Sequence, residues 1–201
     1  MPPITSVCVY CGSSPGRSPD YEGAAEALGR AIGAAGLRLV YGGGDKGLMG
    51  AVARGCMAEG GSVTGIIPRF LMAKERSENA LAKLDELITT EDMHERKHAM
   101  FERSDAFIAL PGGIGTLEEL IEIMTWAQLG QHEKPIVVAD LSGFWAPLRT
   151  LLDHMSAEGF IHTANRVRPL WVSHAEAIVP ALLRAVDTVP DAGNEAVIER
   201  M

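Results

Sequence analysis

An open parallel α/β sheet with helices on both faces, folded as one domain, is the architecture this sequence predicts. Short apolar runs alternate with helix-length amphipathic segments along the chain, the signature of repeated strand–helix–strand units. Glycine- or serine-rich turns follow several of those runs, at residues 11–16, 42–47 and 112–115. The 201 residues are 47% hydrophobic, enough for one substantial core. The domain is expected over residues 1–188, with 189–201 a tail of no clear core contribution.

Residues 4–10 read as a buried strand ending in Cys11-Gly12-Ser13-Ser14-Pro15-Gly16. Ser18-Pro19 offers an N-cap and first-turn proline for a helix to about residue 35. A short strand over 38–41 runs into Gly42-Gly43-Gly44-Asp45-Lys46-Gly47, and a helix over 48–59 stops at Gly60-Gly61. Strand 62–67 follows. Residues 70–85 read as helical or irregular, and 86–89 as a short strand. Asp92 can cap a helix over 93–103, and strand 105–110 precedes Pro111-Gly112-Gly113-Ile114-Gly115-Thr116-Leu117-Glu118-Glu119. The next helix ends at Gly130. Strand 135–139, helix 145–158, strand 170–172 and helix 175–186 complete the series.

In the helix after Gly115, Leu117, Leu120, Ile121 and Met124 follow i, i+3, i+4, i+7 and are expected to face the sheet. Ile123 and Trp126 would project elsewhere, on the Glu119 side. A helix apolar beyond one stripe needs a second cover, and a subunit interface is the expected one.

In a parallel sheet all strand carboxyl ends lie at one edge, so the three turns converge there. Together they suit one nucleotide-sized site. The glycines at 112, 113 and 115 let backbone approach an anion, and the first N–H groups of a helix attract it. Thr116 can add a hydroxyl donor. Glu119, one turn on, would repel a phosphate and is expected to face another part of the substrate.

Two short motifs invite other readings. His94-Glu95-Arg96-Lys97-His98 is literally H-E-x-x-H, but two cations sit between the histidines and no third ligand is evident downstream. Arg96 and Lys97 are instead taken as the operative pair. Cys8-x-x-Cys11 lies on and beside a strand with no second pair to complete a zinc cage, so its cysteines read as small buried side chains. No metal site is expected.

The net charge of −8 argues against a nucleic-acid polymer as partner, though not against a small phosphorylated ligand. No apolar run approaches the ~20 residues that span a bilayer, and the first residues lack the pattern of a secretory signal, so a cytoplasmic protein free of membrane contact is expected.

At this point the chain resembles a known family. Cys11-Gly12-Ser13-Ser14, Tyr41-Gly42-Gly43-Gly44 with Gly47-Leu48-Met49-Gly50, Met93-His94-x-Arg96-Lys97, Ser104 through the glycine motif, and Thr125-Trp126-Ala127-Gln128-Leu129-Gly130 occur in order. This ordered set, over about residues 4–175, resembles the LOG (LONELY GUY) family of cytokinin riboside 5′-monophosphate phosphoribohydrolases, often mislabelled lysine decarboxylases. The resemblance implies a Rossmann-like fold, a homodimer with sites near the subunit interface, and no cofactor. It places catalytic roles on Arg96 and Glu119. It places substrate contacts on Lys97, on Gly113, Ile114, Gly115, Thr116, Leu117 and Glu118, on Thr125, and through Leu71-Met72-Ala73-Lys74-Glu75 on Glu75. Between Glu75 and Met93 the chain runs a few residues longer than the family pattern. Gly112, Ser14 and Gly44 join the expected binding set as parts of the converging loops.

The reaction implied is hydrolysis of the N-glycosidic bond of a purine nucleoside 5′-monophosphate, with adenine or N6-substituted adenine as base. A decarboxylase would need pyridoxal phosphate on a lysine, and no lysine here has a recognisable setting for it. The alternative is a nucleotide- or cofactor-binding protein of the same fold without chemistry.

Overall fold

The computed structural model describes residues 3–75, 84–161 and 168–187. The expected tail 189–201 and the middle of the 70–85 segment lie outside the described residues. The strands are β1 (Ser6–Tyr10), β2 (Arg38–Tyr41), β3 (Val63–Pro68), β4 (Glu86–Thr90), β5 (Ala106–Ala109), β6 (Ile136–Ala139) and β7 (Leu170–Val172). The helices are α1 (Pro19–Ala34), α2 (Gly47–Ala58), α3 (Met72–Glu75), α4 (Met93–Glu102), α5 (Ile114–Gln128), α6 (Ala146–Ala157) and α7 (Ala175–Asp187). Within 70–85, Arg69–Leu71 makes a 3₁₀ turn leading directly into α3.

The seven strands form one sheet in the order β4-β3-β2-β1-β5-β6-β7, with every pairing parallel. The chain winds outward from β1 to one edge, returns, and winds outward again from β5. Adjacent β1 and β5 therefore bound the topological switch point, where ligands of open α/β sheets bind.

Alternating side chains of each strand serve two cores. Val7, Val9, Leu39, Tyr41 and Ile108 pack with α1, α2 and α7, through residues such as Leu28, Val52 and Ile178. Cys8, Tyr10, Val40, Ile66 and Phe107 pack on the opposite face with Met100 of α4 and Leu120 and Ile123 of α5. Central strands buried on both sides explain why they read as continuous apolar runs.

Local signals place the helix starts. Ser18 accepts a hydrogen bond from the Asp20 N–H and is followed by Pro19. Asp92 accepts from the N–H groups of His94 and Glu95 at 2.8 and 2.9 Å, fixing where α4 begins.

One expectation is overturned. The face of α5 that meets the sheet carries Thr116, Glu119, Leu120 and Ile123, all buried. Leu117 and Met124 are only partly buried, and Ile121 is exposed. The apolar stripes were correctly placed on the helix, but the sheet takes the row containing two polar residues. Trp126 stacks edge-on against Phe101 of α4, ring centroids 5.0 Å apart. Leu117 and Met124 still touch the core from its margin, while the row Leu117–Ile121–Met124 also faces outward. It forms one wall of a groove of about 660 Å³ whose other wall is Leu148, Leu151 and Met155 of α6.

Candidate functional site

The β1, β2 and β5 loops meet by backbone contact at the switch point. The Gly12 N–H donates to Pro111 O at 3.1 Å, joining the β1 and β5 loops. A Cβ on Gly112 would collide with the Thr116 side chain and approach Gly12 N to 2.9 Å, so glycine is required there for lack of room. Gly47 holds φ +54° and packs against the backbone of Ser13 and Ser14, a conformation and a spacing that both favour glycine. Ser14 itself is exposed, while Gly44 is buried.

Of the helices that begin at this edge, α2 and α5 follow the β2 and β5 loops, and they differ in what their N-termini can do. At α2, the N–H groups of Leu48 and Met49 both point to the Gly12 carbonyl, at 3.1 and 3.3 Å. That helix start is occupied by the protein's own backbone. At α5, Gly113 is the N-cap and no side chain caps it. The N–H groups of Ile114, Gly115 and Thr116 have no acceptor within the helix, and Gly113 through Gly115 are exposed. The open helix start is therefore the one after Pro111-Gly112-Gly113, and it suits an anion.

Behind that opening lies a buried charge pair. Thr116 and Glu119 occupy successive turns on the buried face of α5. Arg96 of α4 brings its Nη2 to 3.8 Å from Glu119 Oε1, with both side chains 8% exposed. The two are charge-paired rather than forked together. Arg96 Nη1 approaches the Met93 thioether at 3.7 Å, a weak acceptor, and Arg96 Nε has no hydrogen-bond partner among the described residues. An unsatisfied buried N–H costs about 1–3 kcal/mol; a bound ligand with an acceptor there recovers it. A side chain held at that cost is a common mark of a binding site.

Lys97 is also buried, and its Nζ lies 2.6 Å from Glu118 and 3.0 Å from Glu122. Burial pulls its pKa down, but the hydrogen bonds it donates to the two carboxylates outweigh this and hold it above the ordinary lysine value. Lysine pyridoxal chemistry needs a readily deprotonated amine, which this clamp opposes. Glu122 carried no sequence signal, because one more glutamate a turn after Glu118 reads as helix surface.

The remaining expected residues fall elsewhere. Thr125 is exposed beside the α5–α6 groove, its hydroxyl donating to Ile121 O at 2.7 Å. Leu117 lines the same groove. Glu75 ends α3, and its side chain lies outside the description. His94 and His98 are exposed while Arg96 and Lys97 between them are buried. Among the described residues no group of three or more His, Cys, Asp or Glu side chains gathers to hold a metal. Cys8, Cys11 and Cys56 are free and buried. Burial raises all three thiols, Cys56 to about 11, which leaves them un-ionised and inert.

Known proteins resemble this chain in sequence and in fold. The family profile described as "Possible lysine decarboxylase" matches residues 49–182. A cytokinin riboside 5′-monophosphate phosphoribohydrolase of Rhodococcoides fascians is 45% identical over 181 residues, 90% of this chain and 90% of that protein. An Arabidopsis thaliana protein of the same description is 48% identical over 176 residues, covering 88% of this chain and 76% of the relative. Among solved structures, a molybdenum cofactor binding protein from Rippkaea orientalis superposes with a TM-score of 0.63 at 24% identity, covering 94% of this chain and 99% of its own. The Moco carrier protein of Chlamydomonas reinhardtii gives 0.67 at 18%, covering 92% and 98%. These two establish a shared fold only. By sequence, the chain belongs to the LOG family, whose profile is described as "Possible lysine decarboxylase" and whose members similar to this chain include cytokinin riboside 5′-monophosphate phosphoribohydrolases.

Proposed function

We propose that the protein hydrolyses the N-glycosidic bond of a purine nucleoside 5′-monophosphate, releasing the free base and ribose 5-phosphate. The observation that carries this reading is the buried Arg96–Glu119 pair, 3.8 Å apart, directly behind the uncapped start of α5. A pure phosphate cradle has no use for a buried carboxylate. Departure of the base leaves positive charge on the ribose ring, and an oxocarbenium-like transition state is stabilised by an adjacent carboxylate.

With the 5′-phosphate on the N–H groups of Ile114–Thr116 and on the Thr116 hydroxyl, Glu119 stands about one helical turn (about 5.4 Å) deeper, at the depth of the ribose. Water supplies hydroxide to C1′ and a proton to the departing base. Glu119 offsets the ring charge and can accept from ribose hydroxyls or the attacking water. Arg96 keeps its proton at any working pH, so it orients substrate and neutralises charge on phosphate or base. Lys97, its charge matched by Glu118 and Glu122, braces α4 against α5 beside the site. Binding energy gathered at the phosphate then orients the sugar at the bond that breaks.

The direct test is to incubate the purified protein separately with AMP and N6-isopentenyl-AMP and measure released base. Release from either supports the reaction, and the ratio ranks the bases. Tight binding of both without release favours instead a non-catalytic nucleotide carrier of this fold.

We also infer a homodimer. The groove between α5 and α6 exposes Ile121, Leu151, Met155 and Phe160, an apolar face that a second copy of the chain would cover. Light scattering should return twice the chain mass. Three free cysteines and the absence of any described helix able to cross a membrane support a cytoplasmic setting.

A further inference from the structure

We propose that Gly42, at the carboxyl end of β2, is a positioning residue whose missing side chain makes the seat for the Arg96 guanidinium. The inference rests on the reading of Arg96 as part of the substrate machinery. Gly42 and Gly43 are adjacent but are glycine for different reasons. Gly43 has φ +76°, a backbone state that side chains disfavour. Gly42 is not among the residues with positive φ, so its backbone alone would tolerate alanine. Space is what forbids one. A Cβ at Gly42 would overlap Arg96 Nη2, lie 3.3 Å from Arg96 Cζ and stand 3.0 Å from the Met49 sulfur.

What holds the guanidinium makes that vacancy matter. Among the described residues its links are a thioether at 3.7 Å and a carboxylate at 3.8 Å, and its Nε has no hydrogen-bond partner. None is a short directional bond of the kind that pins an arginine. The guanidinium is located by shape. It rests on the bare Cα of Gly42, between Met93 and Glu119, and whatever fills that hollow displaces it. Because the obstructing atoms are the ends of flexible side chains, the fold can absorb an added methyl by moving Arg96. Catalytic geometry cannot, since a displacement near 1 Å costs on the order of 10²-fold in rate.

Gly42→Ala, made in the full chain, is the test, read in three ways. First, the Arg96 Nε–H resonance, identified by its loss in Arg96→Ala, should shift in Gly42→Ala while backbone amide signals of β5 and β6 stay in place. Second, kcat for nucleoside monophosphate hydrolysis should fall about 10²-fold with KM changed by less than about threefold, and in single-turnover assays on Arg96→Ala the added Gly42→Ala should cost nothing more. Third, any loss of melting temperature in Gly42→Ala should disappear in the Arg96→Ala background, where no guanidinium opposes the methyl. An unmoved Nε–H resonance overturns the proposal. So does an equal loss of activity or of melting temperature in both backgrounds. If neither parent nor variant hydrolyses nucleotides, the reaction assigned above fails, while the resonance and melting data still decide whether Gly42 seats Arg96.

Discussion

Replacing Glu119 by Gln keeps the side chain's shape and removes its charge at the position where the proposed reaction generates a cation. The carboxylate is 7% exposed, so water screens it little. Taking 3.8 Å, its separation from Arg96, as the scale of approach to the ribose ring, a full unit charge interacts by about 4 kcal/mol at an effective dielectric constant near 20. The ring carries only part of a charge at the transition state, so about 2.5–4 kcal/mol is the share at stake. That corresponds to roughly 10²–10³ in rate. The loss should fall on kcat, with KM nearly unchanged, because the proposed phosphate contacts at the start of α5 are untouched. The same change leaves Arg96 buried without its counter-charge, so the melting temperature should drop as well. The assay is initial-rate release of base from N6-isopentenyl-AMP, with thermal melting in parallel. Glu119→Gln that keeps more than about a tenth of wild-type kcat removes the carboxylate from the mechanism.

Two further predictions concern the phosphate end and the base of the sheet. Thr116→Ala should chiefly raise KM for the monophosphate, while the slow reaction of the corresponding nucleoside stays as it was; equal losses with both substrates would contradict a phosphate role. Asp105 Oδ2 accepts from the N–H and hydroxyl of both Thr5 and Ser6, at 2.9–3.0 Å, tying the start of β1 to β5. Partial burial pushes its pKa up, but those hydrogen bonds win and hold it below the ordinary 3.8. Its stabilisation is therefore complete above the ordinary aspartate value and is lost as pH falls through the depressed one. Asp105→Asn should cost about 1–2 kcal/mol in urea unfolding at pH 7 and progressively less as the pH is lowered below 4. A pH-independent difference would show that the charge is not what matters.

Much of the frame was legible because it rests on local chemistry. Ser18 and Asp92 announced their helices as caps. Doubly buried strands such as Ser6–Tyr10 stood out as unbroken apolar runs. The glycine motif announced a strand–turn–helix corner. The 70–85 stretch was ambiguous for a matching reason: its described part is a three-residue turn and a four-residue helix, too short for any period to register. In α5 the reading failed on rotation. Hydrophobicity alone directs Leu117, Ile121 and Met124 inward. The structure turns Thr116 and Glu119 inward instead, because they have a charged partner in Arg96 and the glycine loop beneath them. Apolar periodicity finds stripes, but it cannot tell which one meets the sheet when a buried polar site competes for the same face.

The amino-acid order by itself determined the alternation of strands and helices, the corner at Pro111-Gly112-Gly113 and the suspicion that Arg96, rather than the flanking histidines, carries meaning. These depend on residues near one another in the chain. Only the tertiary structure decided which helix start is open, since the amides of α2 are taken by a carbonyl from the β1 loop. Only it set Arg96 beside Glu119, 23 positions away, on the empty flank of Gly42. Those relations are made by the packing of α4 against α5 and of three loops at one sheet edge, and no local pattern encodes a distance across a fold.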